Sequence, residues 1–123
     1  TPRIAFSHFA VTGSDPIYML TGVIPVTQKI LERSGMRIAD IDLYEVNEAF
    51  ASVPLAWLAD IDADAERMNV QGGAIALGHP AGASGGRLMA NLISGLEAAG
   101  GRYGLLTMCE SGGMANATII ERC

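Results

Sequence analysis

The chain has 123 residues, half of them hydrophobic, which is enough for one domain with a buried core. Its formal net charge is −5, and its eight basic residues are scattered, so nucleic acid is not an expected partner. No apolar run approaches the ~20 residues of a membrane span, and the first residues lack a signal-peptide layout.

The N-terminal part of the chain predicts a strand followed by a helix. Residues 3–11, RIAFSHFAV, are rich in β-branched and aromatic side chains and precede the turn-forming sequence TGSDP. Pro25 fits the first turn of a helix over 26–34, whose apolar residues share one face. Gly35 then supplies a left-handed end.

A second strand is predicted over 41–46, where IDLYEV is mostly apolar, as in a buried central strand. It leads directly into Asn47 and a helical stretch, EAFASVPLAWLA. Pro54 inside this stretch predicts a kink or an early break. Asn47 fits the N-cap of the helix or a polar site at the sheet edge. The predicted buried stripe consists of Phe50, Val53, Trp57 and Leu58.

Residues 59–66, ADIDADAE, begin with the D-x-D-x-D spacing of a calcium loop. Ala65 occupies the position that requires Gly, and Gln71 stands where the bidentate Glu should be. We therefore expect a solvated connection here and no metal site.

The glycine-rich segment 73–87, GAIALGHPAGASGGR, fits several kinds of loop. It contains G-x-x-x-x-G, but His79 and Pro80 replace the Lys and Ser/Thr of a phosphate loop. It also contains G-x-S-x-G around Ser84, yet no buried strand leads straight into that serine as a nucleophile elbow needs. Ser84 is therefore expected to be the N-cap of the next helix.

That helix is predicted over 84–99, with Gly100 and Gly101 as its end. Two short apolar runs follow, 103–108 and 115–120, joined by the turn CESGG. They are typical of a terminal β-hairpin. The alternation of strands and helices predicts an α/β fold with helices packed on a mixed sheet.

Two cysteines could pair, but Cys123 is the last residue, so reduced intracellular thiols are expected instead. Cys109 ends a strand beside exposed backbone donors, which suits either a structural or a reactive thiol. His79 lies in a turn able to hold an imidazole beside a cleft. Because Asn47, His79 and Cys109 each follow a strand or lie in a loop beside one, they predict one site along a sheet edge.

Three segments carry a resemblance to a known family: NEAFA, NVQGGAIALGHPAGASGGR and the C-x-x-G-G-M turn. In this order and spacing they closely resemble the C-terminal domain of thiolases, the acetyl-CoA C-acyltransferase family, from about Ser14 to Arg122. The resemblance implies that residues 1–123 form this domain, with a five-stranded mixed sheet and helices on both faces. It also implies that the nucleophile-bearing N-terminal domain is absent from this chain, whose first residue, Thr1, fits a fragment or a separately expressed piece.

The activity that the resemblance implies is acyl transfer between a 3-oxoacyl-CoA and CoA through an acyl-cysteine, or the reverse condensation. His79 would activate the nucleophilic cysteine and contribute to an oxyanion hole, and Asn47 would hold the water that completes it. Cys109 would be the acid/base, and the backbone N–H of Ser111 would serve a second oxyanion hole. Since the nucleophile is supplied by the missing domain, and Cys123 lies beyond the last strand, the isolated chain is expected to be inactive.

Three positions depart from the family pattern. Ser111 and Ala115 replace glycines, and Glu110 replaces a usually apolar residue. Serine tolerates fewer backbone angles than glycine, and a carboxylate beside Cys109 would raise the pKa of the thiol. These changes fit a divergent thiolase acting on an unusual acyl chain, or a loss of activity.

The resemblance further implies CoA and acyl-CoA as substrates, no cofactor or metal, an N-terminal thiolase domain as partner, and a cytoplasmic homo-oligomer of fatty-acid metabolism. The alternative is a non-catalytic thiolase-like module for acyl-CoA binding or assembly. A decarboxylating condensing enzyme is disfavoured, because such enzymes pair two histidines, or His and Asn, where this chain has His79 and Cys109.

Overall fold

The computed structural model describes all 123 residues and has a four-stranded mixed sheet at its centre. The strand order is β1-β4-β3-β2. β4 pairs antiparallel with β1 and β3, and β2 pairs parallel with β3. The strands are β1 (Ile4–Gly13), β2 (Leu43–Val46), β3 (Tyr103–Cys109) and β4 (Met114–Arg122).

Helices cover both faces of this sheet, because alternate strand residues form two separate apolar clusters. The helices are α1 (Val23–Ser34), α2 (Ser52–Ile61), the single turn α3 (Ala74–Leu77) and α4 (Ser84–Ala99). On one face α1 and α2 meet around the fully buried Trp57, whose indole N–H donates to Thr27 Oγ1 at 2.8 Å. On the other face α4 buries a row of leucines, Leu88, Leu92 and Leu96.

Most of the predicted elements are confirmed. α4 occupies the predicted residues and ends at Gly100, whose φ is 68°. α1 begins three residues before the predicted start and ends as expected at Gly35, with a φ of 70°. The terminal hairpin is present as the antiparallel pair of β3 and β4. The α/β class with helices on a mixed sheet is therefore confirmed.

The prediction of a fifth strand is wrong. Next to β2, Met68 makes a single isolated parallel bridge to Tyr44, and the chain then turns away at Asn69, whose φ is 50°. The Asn69 side chain makes the hydrogen bonds that a neighbouring strand would make, since its amide accepts from Val46 N at 2.9 Å and donates to Val46 O at 3.0 Å. The outer edge of β2 is thus satisfied by an amide side chain, with no need for another strand.

The predicted start of α2 is also wrong. The helix begins at Ser52, five residues after Asn47, so Asn47 is not its N-cap. Pro54 lies in the first turn, where its missing N–H has no helical partner to lose, and no kink results. Phe50 precedes the helix and is 66% exposed, outside the expected buried stripe.

No helix in the chain combines the length and the apolar character needed to cross a membrane. Cys109 and Cys123 are both free. They lie at opposite ends of the β3–β4 pair, since Cys109 pairs with Ala115 and Cys123 follows the far end of β4.

Candidate active site

The candidate site lies at the edge of the sheet where β2 and β3 both end. These strands are parallel, with Val46 opposite Thr107, and the N–H of Asn47 continues the ladder to Thr107 O at 3.0 Å. Parallel strands end at a common edge, so Asn47 and Cys109 leave the sheet side by side. The first turn of α4 also reaches this edge, because a Cβ on Gly85 would lie 3.5 Å from the sulfur of Met108.

The loop between α3 and α4 carries His79 to this edge. Gly78 has a φ of 86°, a left-handed conformation that suits glycine, and the chain turns there. The two ring nitrogens of the exposed His79 meet different partners. Nε2 lies 3.4 Å from Nδ2 of Asn47, and Nδ1 lies 2.6 Å from Oγ of Ser84. The structure thus joins two of the three predicted site residues directly.

Ser84 does not cap α4, contrary to the prediction. It is the first residue of the helix and is fully buried, and no side chain caps the helix at the preceding Ala83. The reason is local. The turn closes through the backbone, with N–H of Ala83 and of Ser84 donating to Pro80 O at 2.8 and 2.9 Å. The hydroxyl of Ser84 is therefore turned back, donating to Pro80 O at 3.0 Å and contacting His79.

Asn47 is fully buried between the end of β2 and the His79 loop. Its Nδ2 faces His79, while its Oδ1 is buried without a hydrogen-bond partner in the chain. A buried amide oxygen without a partner is costly unless something polar satisfies it. Asn47 therefore combines a fixed side chain with an unused acceptor next to the imidazole.

Cys109 is half-buried at the end of β3 and makes no hydrogen bond to Asn47 or His79. Burial raises the pKa of its thiol, the charge of Glu110 raises it less, and a backbone hydrogen bond opposes both. The Glu110 carboxylate accepts from Asn116 Nδ2 at 2.6 Å. The thiol is thus held in its protonated form at neutral pH.

The turn after Cys109 accommodates the departures from the glycine pattern. Ser111 has no positive φ, so its backbone lies in a region open to any residue. The left-handed positions are Gly112 and Gly113, with φ of 76° and 85°. A side chain at 111 therefore does not strain the backbone that presents its N–H.

Comparison with known proteins decides the family. The chain matches the model of the thiolase C-terminal domain over residues 1–122. The chain belongs to the thiolase family. It is 54% identical, over 98% of its length, to the steroid 3-ketoacyl-CoA thiolase FadA6 of Mycobacterium tuberculosis. It is 46% identical, over 99% of its length, to the acetyl-CoA acetyltransferase of Escherichia coli K12.

Solved structures agree with this assignment. The crystal structure of the Bacillus anthracis acetyl-CoA acetyltransferase covers the whole chain with a TM-score of 0.97 and 37% sequence identity. The chain spans about 30% of the length of these relatives, from 30% of the Mycobacterium tuberculosis protein to 31% of the other two. This thiolase domain is therefore similar to one part of each of those proteins.

A set of polar residues behind the thiolase site, of which Glu45 and Asn69 are buried, was missed by the sequence analysis. Glu48 accepts from Ile75 N at 2.9 Å and from Asn69 Nδ2 at 3.0 Å, which ties the chain after β2 to α3. Gly73 leaves room for this carboxylate, because a Cβ at that position would overlap it and the Glu48 side chain would have to move. Glu45 lies close enough for the charges of Glu48 and Arg87 to act on it, but it makes no side-chain hydrogen bond to either of them.

Glu45 offered a sequence signal for this network. It is a charged residue in the middle of IDLYEV, a strand expected to be buried, and it is 2% exposed. Burial, and secondarily the charge of Glu48, raise the pKa of Glu45 to about 8, while the charge of Arg87 opposes the shift. A carboxyl group in such a strand needs polar neighbours, and their positions depend on the fold.

Other features of the thiolase domain lie away from this site. The acidic connection is the end of α2 followed by a tight turn over Ala65–Arg67, and no group of three or more His, Cys, Asp or Glu side chains is arranged to hold a metal. One apolar groove of about 240 Å³ contains none of the predicted site residues. It is lined by Tyr18, Leu20, Thr21, Val23, Ile24, Ser52, Val53 and Ala56.

Proposed function

We propose that this chain supplies one half of a thiolase active site, for acyl transfer between a 3-oxoacyl-CoA and CoA. The other half, with the nucleophilic cysteine, would come from the part of the polypeptide that this chain does not include. Family membership and the contacts of His79 support this proposal. The relatives are named as 3-ketoacyl-CoA, steroid 3-ketoacyl-CoA and acetyl-CoA enzymes, so the chemistry common to them is that of a 3-oxoacyl thioester.

The observation that carries the proposal is the placement of His79 between Ser84 and Asn47. The Ser84 hydroxyl has one proton, and with that proton donated to Pro80 O its oxygen would accept from Nδ1–H of His79. A neutral imidazole with its proton on Nδ1 has its lone pair on Nε2. His79 would therefore present Nε2 as the base that takes the proton of a cysteine thiol.

Once protonated, Nε2 would donate to the oxygen that becomes negative when the thiolate attacks the C3 carbonyl of the substrate. The unused Oδ1 of Asn47 supports its proposed part in this step. It would accept from a water molecule whose other proton points at the same oxygen. A donor pair of this kind would stabilise the developing charge.

Cys109 would serve first as the general acid that protonates the enolate carbon and then as the general base that deprotonates the CoA thiol. After thiolate attack, the C2–C3 bond breaks, the electron pair goes to C2 as an enolate of acetyl-CoA, and Cys109 gives its proton to C2. The Cys109 thiolate then takes the proton of CoA, whose sulfur attacks the acyl-cysteine and releases the shortened acyl-CoA. A raised pKa suits the first of these steps, because the thiol must hold its proton until the enolate forms. The N–H of Ser111 would bind the thioester oxygen of that enolate.

The partner domain is supported by the apolar surface of the chain. Several large apolar side chains are exposed, among them Ile17 at 89%, Tyr18, Phe50 and Leu55. Exposed apolar surface of this kind is typical of a site that contacts another domain. We propose that the N-terminal thiolase domain covers part of this surface, and that the complete protein is a cytoplasmic homo-oligomer of fatty-acid degradation.

The proposal is tested by thiolysis of acetoacetyl-CoA and a longer 3-oxoacyl-CoA in the full-length protein and two variants. His79→Ala and Cys109→Ala should each lower kcat by about 100-fold or more, since the groups act together. Near-normal rates in either variant would overturn the roles assigned to them. Acyl-CoA binding without any turnover in the unmodified protein would favour the alternative of a non-catalytic binding module.

A further inference from the structure

Arg87 makes two contacts to the loop that carries His79. Its Nη1 donates to the carbonyl oxygen of Gly78 at 2.6 Å and to that of Leu77 at 3.3 Å. Gly78 is the residue immediately before His79, so the first bond acts on the peptide that enters the imidazole-bearing residue. Arg87 follows Ser84 by three residues in α4, which places both side chains on the same helix face.

Few side chains pack against this loop. Residues 75–83 are all exposed, and a Cβ built on Gly78 or Gly82 would meet no atom within 4 Å. Few packed side chains mean that hydrogen bonds fix such a loop. Arg87 donates to the Leu77 and Gly78 carbonyls, which precede His79 in this loop. The His79 imidazole contacts the side chains of Ser84 and Asn47.

Arg87 is half-buried behind the site. Its Nε and Nη2 are buried without a hydrogen-bond partner in the chain, and its Nη1 reaches the loop. Glu45 lies close enough for the charge of Arg87 to act on it, and its Oε2 is buried as well. A planar guanidinium with several fixed donors can bind two carbonyls and face an acid at once, which lysine cannot do.

We propose that Arg87 is a positioning residue for His79, which holds the Leu77 and Gly78 carbonyls so that the imidazole stays between Ser84 and Asn47. Arg87 makes no hydrogen bond to Asn47, His79 or Cys109, since its side-chain bonds go to the Leu77 and Gly78 carbonyls. It acts through the loop, and its effect on catalysis rests on the proposed function of His79. Misplacement of a catalytic group by about 1 Å lowers rates by about 100-fold, so loss of this hold should slow turnover.

The test compares Arg87→Ala, Arg87→Lys and the control Arg33→Ala in the full-length protein. Arg33 is the control because it also donates to a backbone carbonyl of another element, Phe9 O at 3.4 Å, at a position away from the His79 loop. Arg87→Ala should lower kcat roughly 10- to 100-fold with little change in KM. Arg87→Lys should recover part of the loss, because an ammonium group can still donate to Gly78 O. Arg33→Ala should leave kcat unchanged.

A second readout reports on the imidazole without relying on turnover. The NMR signal of the His79 Nδ1 proton, assigned by its loss in His79→Gln, should exchange with water faster in Arg87→Ala than in the unmodified protein. Unchanged exchange and unchanged kcat in Arg87→Ala would overturn the inference. Absence of turnover in the unmodified protein would instead contradict the proposed function, and the exchange rates would still decide the role of Arg87. If Arg87→Ala does not fold, Arg87→Lys and Arg87→Gln give the same comparison.

Discussion

The Ser84 hydroxyl lies 2.6 Å from Nδ1 of His79. This contact gives a buried serine at the start of α4 a part in the chemistry of the loop before it. A neutral hydroxyl that accepts from Nδ1–H selects the tautomer and the ring orientation, as the partners of ligating or catalytic histidines do elsewhere. In the proposed function, Ser84 would thereby set the direction of Nε2.

Ser84→Ala should therefore lower kcat by roughly 10- to 100-fold while the fold persists. The methyl group of alanine fits the same space, but Nδ1 loses its partner and the ring is free to rotate. Steady-state kinetics with a 3-oxoacyl-CoA and CoA measure the effect, with Ser94→Ala as the control, because Ser94 is an exposed serine of the same helix. Equal rates in the two variants would show that Ser84 does not orient His79.

Glu45 should make the stability of the protein fall as the pH rises. Its pKa is about 8 in the folded state, against an ordinary value of 4.5, so the folded state holds an extra proton between these values. The stabilisation is complete below pH 4.5 and is lost as the pH rises through about 8, by at most about 1.4 kcal/mol per pH unit.

Glu45→Gln removes this titration and should flatten the dependence. Urea unfolding at both ends of that pH range measures the slope in each protein. We expect the variant to gain stability relative to the unmodified protein at the alkaline end. An identical pH dependence in the two proteins would contradict a buried, neutral carboxyl at this position.

Glu110→Gln should lower the pKa of Cys109. The carboxylate is one of the causes that raise this pKa, but burial is the larger one, so the thiol should still titrate above its ordinary value. The rate of alkylation of Cys109 as a function of pH, followed by peptide mass spectrometry, gives the midpoint in each protein. Glu121→Gln, at the far end of β4, is the matched control. A midpoint that rises in Glu110→Gln would refute this assignment.

Asn69→Ala should destabilise the domain by about 1–3 kcal/mol, because it leaves the N–H and C=O of Val46 without partners. Asn69→Asp separates the two bonds, since a carboxylate still accepts from Val46 N but cannot donate to Val46 O. It also places a charge beside Glu48 and should be at least as harmful. Denaturant unfolding of the three proteins measures these differences. A loss below about 0.5 kcal/mol in both variants would mean that the edge of β2 is satisfied in another way.

The sequence predicted correctly the elements whose position depends on residues near one another in the chain. The row of leucines and Gly100 defined α4, and the two apolar runs joined by the turn CESGG at 109–113 defined the terminal hairpin. The start of α2 was misplaced, because a helical pattern continued back to Asn47 and nothing local showed that Pro54 belongs to a first turn. The fifth strand came from the family resemblance, and a side-chain amide at Asn69 makes it unnecessary.

The candidate site shows the same division. Asn47, His79 and Cys109 were identified from the residues and the resemblance, and the structure joins Asn47 to His79 by contact. Ser84 was taken for an N-cap, because serine before a helix usually is one, and its bond to His79 depends on how the loop folds back. Arg87 gave no local signal, since its partners lie nine and ten residues earlier in the chain. Contacts of this kind follow from tertiary structure alone.

The central claim, that this domain serves a nucleophile outside itself, is tested by locating the acyl group. The full-length protein is incubated with a 3-oxoacyl-CoA without free CoA, quenched and mapped by peptide mass spectrometry. We expect the acyl group on a cysteine outside residues 1–123, with less of it in His79→Ala, and no acyl transfer by the 123-residue chain alone. An acyl group on Cys109 or Cys123, or equal acylation in the presence and absence of the His79 imidazole, would contradict the account.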